Sequence, residues 1–208
     1  MNANMLKSLA ISVGLVCAGA ALAQQPPVDI RPKAGAGASA HAATAVDPQV
    51  AIQRANEYFN SADTLIGDFV QTAADGRRAE GKLYIQRPGK MRFEYASPAT
   101  LEVISDGTSV AVRDRKLNTQ DLYLISQTPL KFLLKRQIDI SRDTKVLNVA
   151  SESLGTSIVI EDKATLGGTS RIKLVFDANF SLKQWLITDP QGYDTRVALF
   201  NVDRTRKP

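Results

Sequence analysis

The sequence predicts a mainly β protein of the α+β kind, a large antiparallel sheet that is strongly curved or nearly closed, with helices against its concave side. Three observations predict it. From Leu65 onward the apolar residues recur with a period of two, the spacing of a strand with one buried face. Turn residues punctuate these runs at short, regular intervals, as at Asp75-Gly76, Asp106-Gly107, Gly155, Gly167-Gly168, Asn179 and Asp189-Pro190-Gln191-Gly192. Only two stretches carry a helical signal, one leading the strands and one interrupting them.

The leading helix starts at Asp47-Pro48, where Asp can accept from free backbone N–H groups and Pro suits the first turn. Val50, Ile52, Ala55, Tyr58 and Phe59 follow at helical spacing, until Asn60 to Asp63 ends the run. Next come extended segments around Leu65 to Val70 and Lys82 to Arg87, a strand through Met91, Phe93 and Tyr95 that Pro98 breaks, and strands at Leu101 to Ser105 and through Val110 and Val112. Thr128 to Arg136 clusters its apolar residues without a period of two, so a short helix is expected there. Strands resume at Lys145 to Ala150, Ser157 to Glu161, Arg171 to Phe176, Leu182 to Thr188 and Thr195 to Asp203.

The amino terminus predicts export. Lys7, the apolar and small residues Leu9 to Ala20, and Ala21-Leu22-Ala23 form a secretory signal over residues 1–23. A membrane anchor would need about 20 apolar residues, and a lipidated terminus would need a small residue where Val16 precedes Cys17. Residues 24–46, dominated by Ala, Gly and Pro, are expected to be a flexible linker, leaving one folded domain over residues 47–208. Removing the signal takes away Cys17, the only cysteine, and lowers the formal charge of +5 by the one charge of Lys7. The mature chain is then mildly basic and free of disulfides, so its core must stabilise it. Basic charge in that compartment favours anionic surfaces or acidic partners over nucleic acid.

The predicted domain contains no histidine, since His41 lies in the linker, and no cysteine. Most hydrolase and metalloenzyme designs are thereby excluded, and no metal or cofactor is expected. Asp75, Asp106, Asp162 and Asp189 are expected in turns, where Asp has a local backbone role, rather than as paired catalytic carboxylates. No phosphate loop or dinucleotide fingerprint is present. The expectation is a non-enzyme that binds, transports or supports. Apolar residues on a curved sheet can fill a core or line a pocket, and periodicity does not separate the two.

A specific resemblance narrows this. Gly67-Asp68-Phe69-Val70-Gln71-Thr72, then Glu80-Gly81-Lys82-Leu83-Tyr84-Ile85-Gln86-Arg87-Pro88-Gly89-Lys90-Met91-Arg92-Phe93, then Ser105-Asp106-Gly107 and Thr128-Pro129-Leu130, in that order behind a helix, resemble the outer-membrane lipoprotein carrier family, LolA. The likeness implies an incomplete antiparallel β-barrel with helices covering an apolar cavity, in a periplasmic chaperone; a monomer is the default expectation. Such a protein accepts lipoproteins from an inner-membrane lipoprotein-releasing ABC transporter and hands them to an outer-membrane receptor. It further implies that Leu65, Phe69, Leu83, Met91, Phe93, Tyr95 and Val103 line the acyl-chain cavity. Leu130, Phe132, Leu133 and Leu134 would belong to the lid, and Arg87 would latch it by hydrogen bonds to lid carbonyls, a task suited to the guanidinium fork. A further carboxy-terminal segment of the family, resembling Pro-x-x-Phe, has no counterpart before Arg206-Lys207-Pro208, so the expectation is either a missing final edge strand or a truncated sequence. A periplasmic lipid-binding sensor of the same fold, a structural protein with a filled barrel and a carboxylate enzyme are the alternatives.

Overall fold

A computed structural model describes residues 46–165 and 167–208, with nothing stated for the side chains of residues 130 and 164. The predicted signal and nearly all of the linker, with Cys17 and His41, lie outside the described residues. Helix α1 spans Pro48–Asn60, as its pattern predicts, and Asp47 Oδ1 accepts from Gln49 N at 2.8 Å and Val50 N at 3.4 Å. Its buried face is Ala51, Ile52, Ala55 and Phe59. Eleven strands follow: β1 Thr64–Thr72, β2 Arg78–Gln86, β3 Lys90–Tyr95, β4 Leu101–Asp106, β5 Ser109–Asp114, β6 Thr119–Leu124, β7 Lys145–Glu152, β8 Gly155–Thr165, β9 Gly168–Phe176, β10 Leu182–Thr188 and β11 Asp194–Asp203.

All eleven join one antiparallel sheet in the order β6-β5-β4-β3-β2-β1-β11-β10-β9-β8-β7. Two meanders, β1 to β6 and β7 to β11, are thus fused by the pairing of β1 with β11. The last strand is therefore central, and the edges of the sheet are β6 and β7. The sheet is open, as expected of an incomplete barrel.

Its curvature follows from one contact. Phe93 of β3 and Trp185 of β10 are four strand spacings apart, roughly 19 Å on a flat sheet, yet their rings meet edge to face with centroids 6.4 Å apart. The two halves must therefore curl toward each other and share one core. Alternation decides which residues fill it: Phe69, Leu83, Met91, Phe93, Tyr95 and Val103 are all buried on the inner face, as are Ile172, Leu174, Trp185, Val197 and Leu199 from the second meander. Gly81 lies on that face opposite both Phe69 and Tyr95, and a Cβ there would stand 2.0 Å from the Glu94 carbonyl oxygen.

Between the two edge strands the chain crosses the inner side. The short helix expected over Thr128 to Arg136 is instead two 3₁₀ turns, Ile125–Gln127 and Pro129–Phe132, followed by irregular chain and a single α-helical turn, α2, at Ile140–Asp143. Asp139 begins α2 by accepting from Arg142 N at 3.1 Å. Strand β6 had no legible signal because its leucines face the wrong way: Leu122 and Leu124 are 65% and 52% exposed, while Asp121 and Tyr123 face inward. Asp75, Asp106 and Asp189 sit in turns and accept from backbone N–H groups there. Asp162 departs from that expectation, being within β8 and paired with Lys131 at 2.8 Å.

Candidate functional site

The site is built where the crossing segment and α1 press on the inner face of the sheet. Phe132, Leu133 and Leu134 are 2%, 6% and 2% exposed. Phe132 meets Phe59 of α1 edge to face at 6.0 Å, and Phe59 meets Phe176 of β9 at the same distance. Together Phe132, Leu133 and Leu134 bury apolar surface worth about 5 to 9 kcal/mol, at about 1.5 to 3 kcal/mol each.

Beneath this lid a small, partly open space of about 30 Å³ is bounded by the end of α1 and by Leu65, Ile85, Arg87, Leu133, Trp185, Leu199 and Arg204. One water needs about 10–15 Å³ on this measure, whereas a dry cavity that holds benzene needs about 150 Å³. Phe69, Leu83, Met91, Phe93 and Val103 lie within the buried core, where the rings of Phe69 and Phe93 meet edge to face. Close packing explains this, because the lid side chains occupy the volume that a hollow would require.

Farther along the same inner face the covering stops. A cleft of about 370 Å³ opens there, walled by Ala79, Tyr95, Ala99, Leu101, Val112 and Tyr123 and rimmed by Arg77, Lys116, Asp114 and Asp121. Tyr95 lies at the junction, its hydroxyl donating to Gln71 Oε1 at 2.7 Å, and burial pushes its phenol well above the usual range. The cleft is of the size that holds small organic ligands.

The Arg87 side chain grips the end of α1. Its Nη2 donates to the carbonyl oxygens of Phe59 and Ala62, at the end of α1 and just past it. The lid is reached by backbone: Gly89 N donates to Leu134 O at 2.8 Å, while Arg87 N donates to Asp63 O at 2.8 Å. The loop Arg87-Pro88-Gly89 thus holds helix and lid at once. Burial lowers the Arg87 pKa, Asp63 acts to raise it and the nearby charge of Arg204 lowers it further, yet a guanidinium remains charged. Lys131 adds a second tether, its ammonium donating to Ser126 O at 3.1 Å and pairing with Asp162. The side chain of Leu130 lies outside the description.

Helix and lid are also joined directly. Asn60 Nδ2 donates to Ile138 O at 2.7 Å and its Oδ1 accepts from Ile138 N at 2.9 Å, while Asn56 Oδ1 accepts from Ile140 N at 3.0 Å. These asparagines were not singled out from the sequence, because an amide on a helix face looks like an ordinary solvated residue. Only the partner segment, about 80 positions away in sequence, gives it a role.

No histidine occurs between residues 46 and 208. Asp68, hydrogen-bonded first by Asn201 and then by Lys82, has a lowered pKa. So has Asp106, which accepts from the backbone of Ser109 and Thr108, and so has Asp114, held by the Thr100 hydroxyl and Leu117 N. A depressed carboxylate stabilises the fold above its unfolded pKa of about 3.9 and loses that contribution as pH falls toward its folded value. The thermal midpoint is therefore expected to stay level between about pH 5.5 and 8 and to fall below about pH 4. Calorimetry across that range checks this, and a step near pH 6.5 would contradict it.

The fold is of the class in which one open antiparallel sheet rolls around an apolar interior and is covered by α1 and the crossing segment. The comparisons specify the family. The family model described as outer membrane lipoprotein carrier protein LolA matches residues 60–208. The chain belongs to this LolA family. It is 29% identical over 155 residues to the outer-membrane lipoprotein carrier protein of Chromobacterium violaceum, covering 71% of this chain and 74% of that protein. With the same-named protein of Methylococcus capsulatus it shares 32% identity over 128 residues, covering 59% of this chain and 56% of that protein. A LolA superfamily protein from Nitrosomonas europaea, known as a crystal structure, matches at TM-score 0.43 and 11% identity, over 78% of this chain and 96% of that one.

Proposed function

We propose that this protein is a non-enzymatic periplasmic carrier that shelters lipoprotein acyl chains, taking them from an inner-membrane lipoprotein-releasing ABC transporter and passing them to an outer-membrane receptor. Family membership supports the carrier role in outline. The observation that carries the reading is the lid itself: Phe132, Leu133 and Leu134 fill the inner face of the sheet, so the described fold is a closed form in which the protein's own side chains occupy the acyl place.

The magnitudes favour exchange over simple binding. Ten buried methylenes are worth about 8 kcal/mol, close to the burial of the three lid residues. A cargo chain and the lid therefore compete for one surface on nearly equal terms. Loading lifts the lid; departure lets it refill the face and spares the carrier an exposed apolar interior. The open cleft beside Tyr95 is where a chain first finds apolar surface without displacing anything.

Arg87→Leu removes the two hydrogen bonds to the end of α1 and leaves those carbonyls unpaired, which weakens closure. The expected result is a variant that loads lipoprotein normally but retains it when outer-membrane vesicles are offered. The assay is release of a radiolabelled lipoprotein from purified carrier to vesicles, together with mass spectrometry for co-purified lipoprotein. Normal hand-over by the variant would remove the latch role. Failure of the wild type to take up either lipoprotein or palmitate would remove the carrier reading. Crosslinking to the transporter separates a carrier from a lipid-binding sensor of the same fold.

A further inference from the structure

The end of α1 presents a physical problem that Arg87 solves only in part. A helix terminus exposes its last carbonyls and carries partial negative charge, usually met by a basic residue in the final turn. The last turn of α1 has none. Arg87 takes the carbonyls of Phe59 and Ala62. The carbonyl of Tyr58 is taken by Arg204, whose Nη2 also lies 3.0 Å from Ser61 Oγ and whose guanidinium carbon stands 4.0 Å from the centre of the Tyr58 ring.

Arg204 follows β11, on the far side of β1 from β2, whose end leads into Arg87. It is presented by a turn in which Asp203 Oδ1 accepts from Thr205 N at 2.8 Å and Thr205 Oγ1 at 2.7 Å. Its own carbonyl accepts from Thr64 Oγ1 at 3.5 Å. Two arginines from separate parts of the chain thus converge on one helix end, and both border the small enclosed space beneath it. Each bears on the other, since the charge of Arg204 acts against that of Arg87.

We infer that Arg204 is a second closing arginine, a positioning residue that holds α1 down in parallel with Arg87, so that acyl-chain entry requires both grips to be released. This role rests on the carrier reading above. The link to the lid is α1 itself, because Asn56 and Asn60 tie the helix to residues 138–140. Freeing the helix end loosens the lid with it. Both hydrogen bonds leave Nη2 while the guanidinium carbon stands over the Tyr58 ring, so the planar group makes both contacts at once, whereas a lysine ammonium could keep only one of them.

The test uses the mature chain with Arg204→Leu, Arg204→Lys, Arg87→Leu and the double leucine variant. Uptake of an apolar fluorescent dye, its displacement by palmitate, and amide exchange are measured on each. Arg204→Leu is expected to speed dye uptake about tenfold, the scale of losing hydrogen bonds from a charged donor, with Arg204→Lys in between. The double variant should be faster than either single one. Amide exchange should quicken in α1 and residues 129–143 while β8 and β9 keep their wild-type protection.

Unchanged uptake in Arg204→Leu, or exchange that quickens evenly over the whole sheet, would overturn the second grip. If Arg204→Leu does not fold, Arg204→Lys carries the test, and wild-type uptake and exchange in it would overturn the second grip as a contact that needs the guanidinium. Palmitate displacing dye from Arg87→Leu, with no effect in Arg204→Leu, would sink this inference while leaving the carrier reading intact. Palmitate displacing dye from none of the four proteins would sink both.

Discussion

Phe132→Ala is expected to destabilise the unloaded protein by about 3 to 5 kcal/mol while tightening its hold on a fatty acyl chain. The cost is that of removing a buried aromatic ring and leaving the space it filled. Phe132 is 2% exposed and packs edge to face on Phe59. If loading lifts the lid, the ring is already out of place in the loaded state, and the cost falls on the closed form alone. Linkage then transfers it to affinity: 3 kcal/mol corresponds to more than a hundredfold at about 1.4 kcal/mol per tenfold. Phe93→Ala is the control, since Phe93 lies within the sheet against Phe69 and Trp185 and supports both states. Thermal unfolding and palmitate titration of both variants separate the cases. Stability lost by Phe132→Ala with no gain in affinity would mean that the lid is ordinary core.

Gly89→Ala is expected to have the largest effect of any single methyl group in the latch loop. The residue has φ +80°, in the left-handed region, and a Cβ there would lie 2.4 Å from the Gly107 Cα. The conformation alone costs an alanine about 1–2 kcal/mol, and the overlap is with backbone that no rotamer change can relieve. Moving the loop breaks two bonds at once, from Gly89 N to Leu134 O at 2.8 Å and from Ser105 Oγ to Gly89 O at 2.7 Å. The variant should therefore lose stability and open the lid even with Arg87 intact. Dye uptake and thermal midpoint would show it, and a wild-type value of both would refute the account of this loop. Gly107, at φ +108°, lies across from it, but a Cβ there would stand at an ordinary 3.9 Å from the Gly89 Cα, so the close approach constrains Gly89.

Much of the sheet could be read in advance because alternation is a local property. Phe69, Leu83, Met91, Phe93, Tyr95 and Val103 follow a period of two, and any sheet with one covered face buries them together. Strand β10, Leu182–Thr188, and helix α1 fall where their patterns put them. Strand β6 did not, since its outward leucines and inward Asp121 invert the pattern that marks a covered face. The crossing segment was legible as apolar and non-alternating but not as 3₁₀ turns, because a run of four apolar side chains fits several backbone forms.

The latch was harder to read. Arg87 stood out through the residues around it, but a side chain of that length can meet any carbonyl within reach, and its partners proved to be on α1. Arg204 carried no signal at all, being one basic residue among several near the chain end. Which arginine meets which carbonyl depends on β1 pairing with both β2 and β11, a fact of long-range topology.

By itself the sequence determined the antiparallel class, the position of α1 and the alternation of β1 to β4, which depend on spacing within a few positions, and the order of segments that marks the family. Tertiary structure alone decided that Phe132, Leu133 and Leu134 are buried against the apolar face, and that two arginines meet at one helix end. Both outcomes depend on competition for shared volume and on contacts between residues far apart in the chain, which local periodicity does not encode.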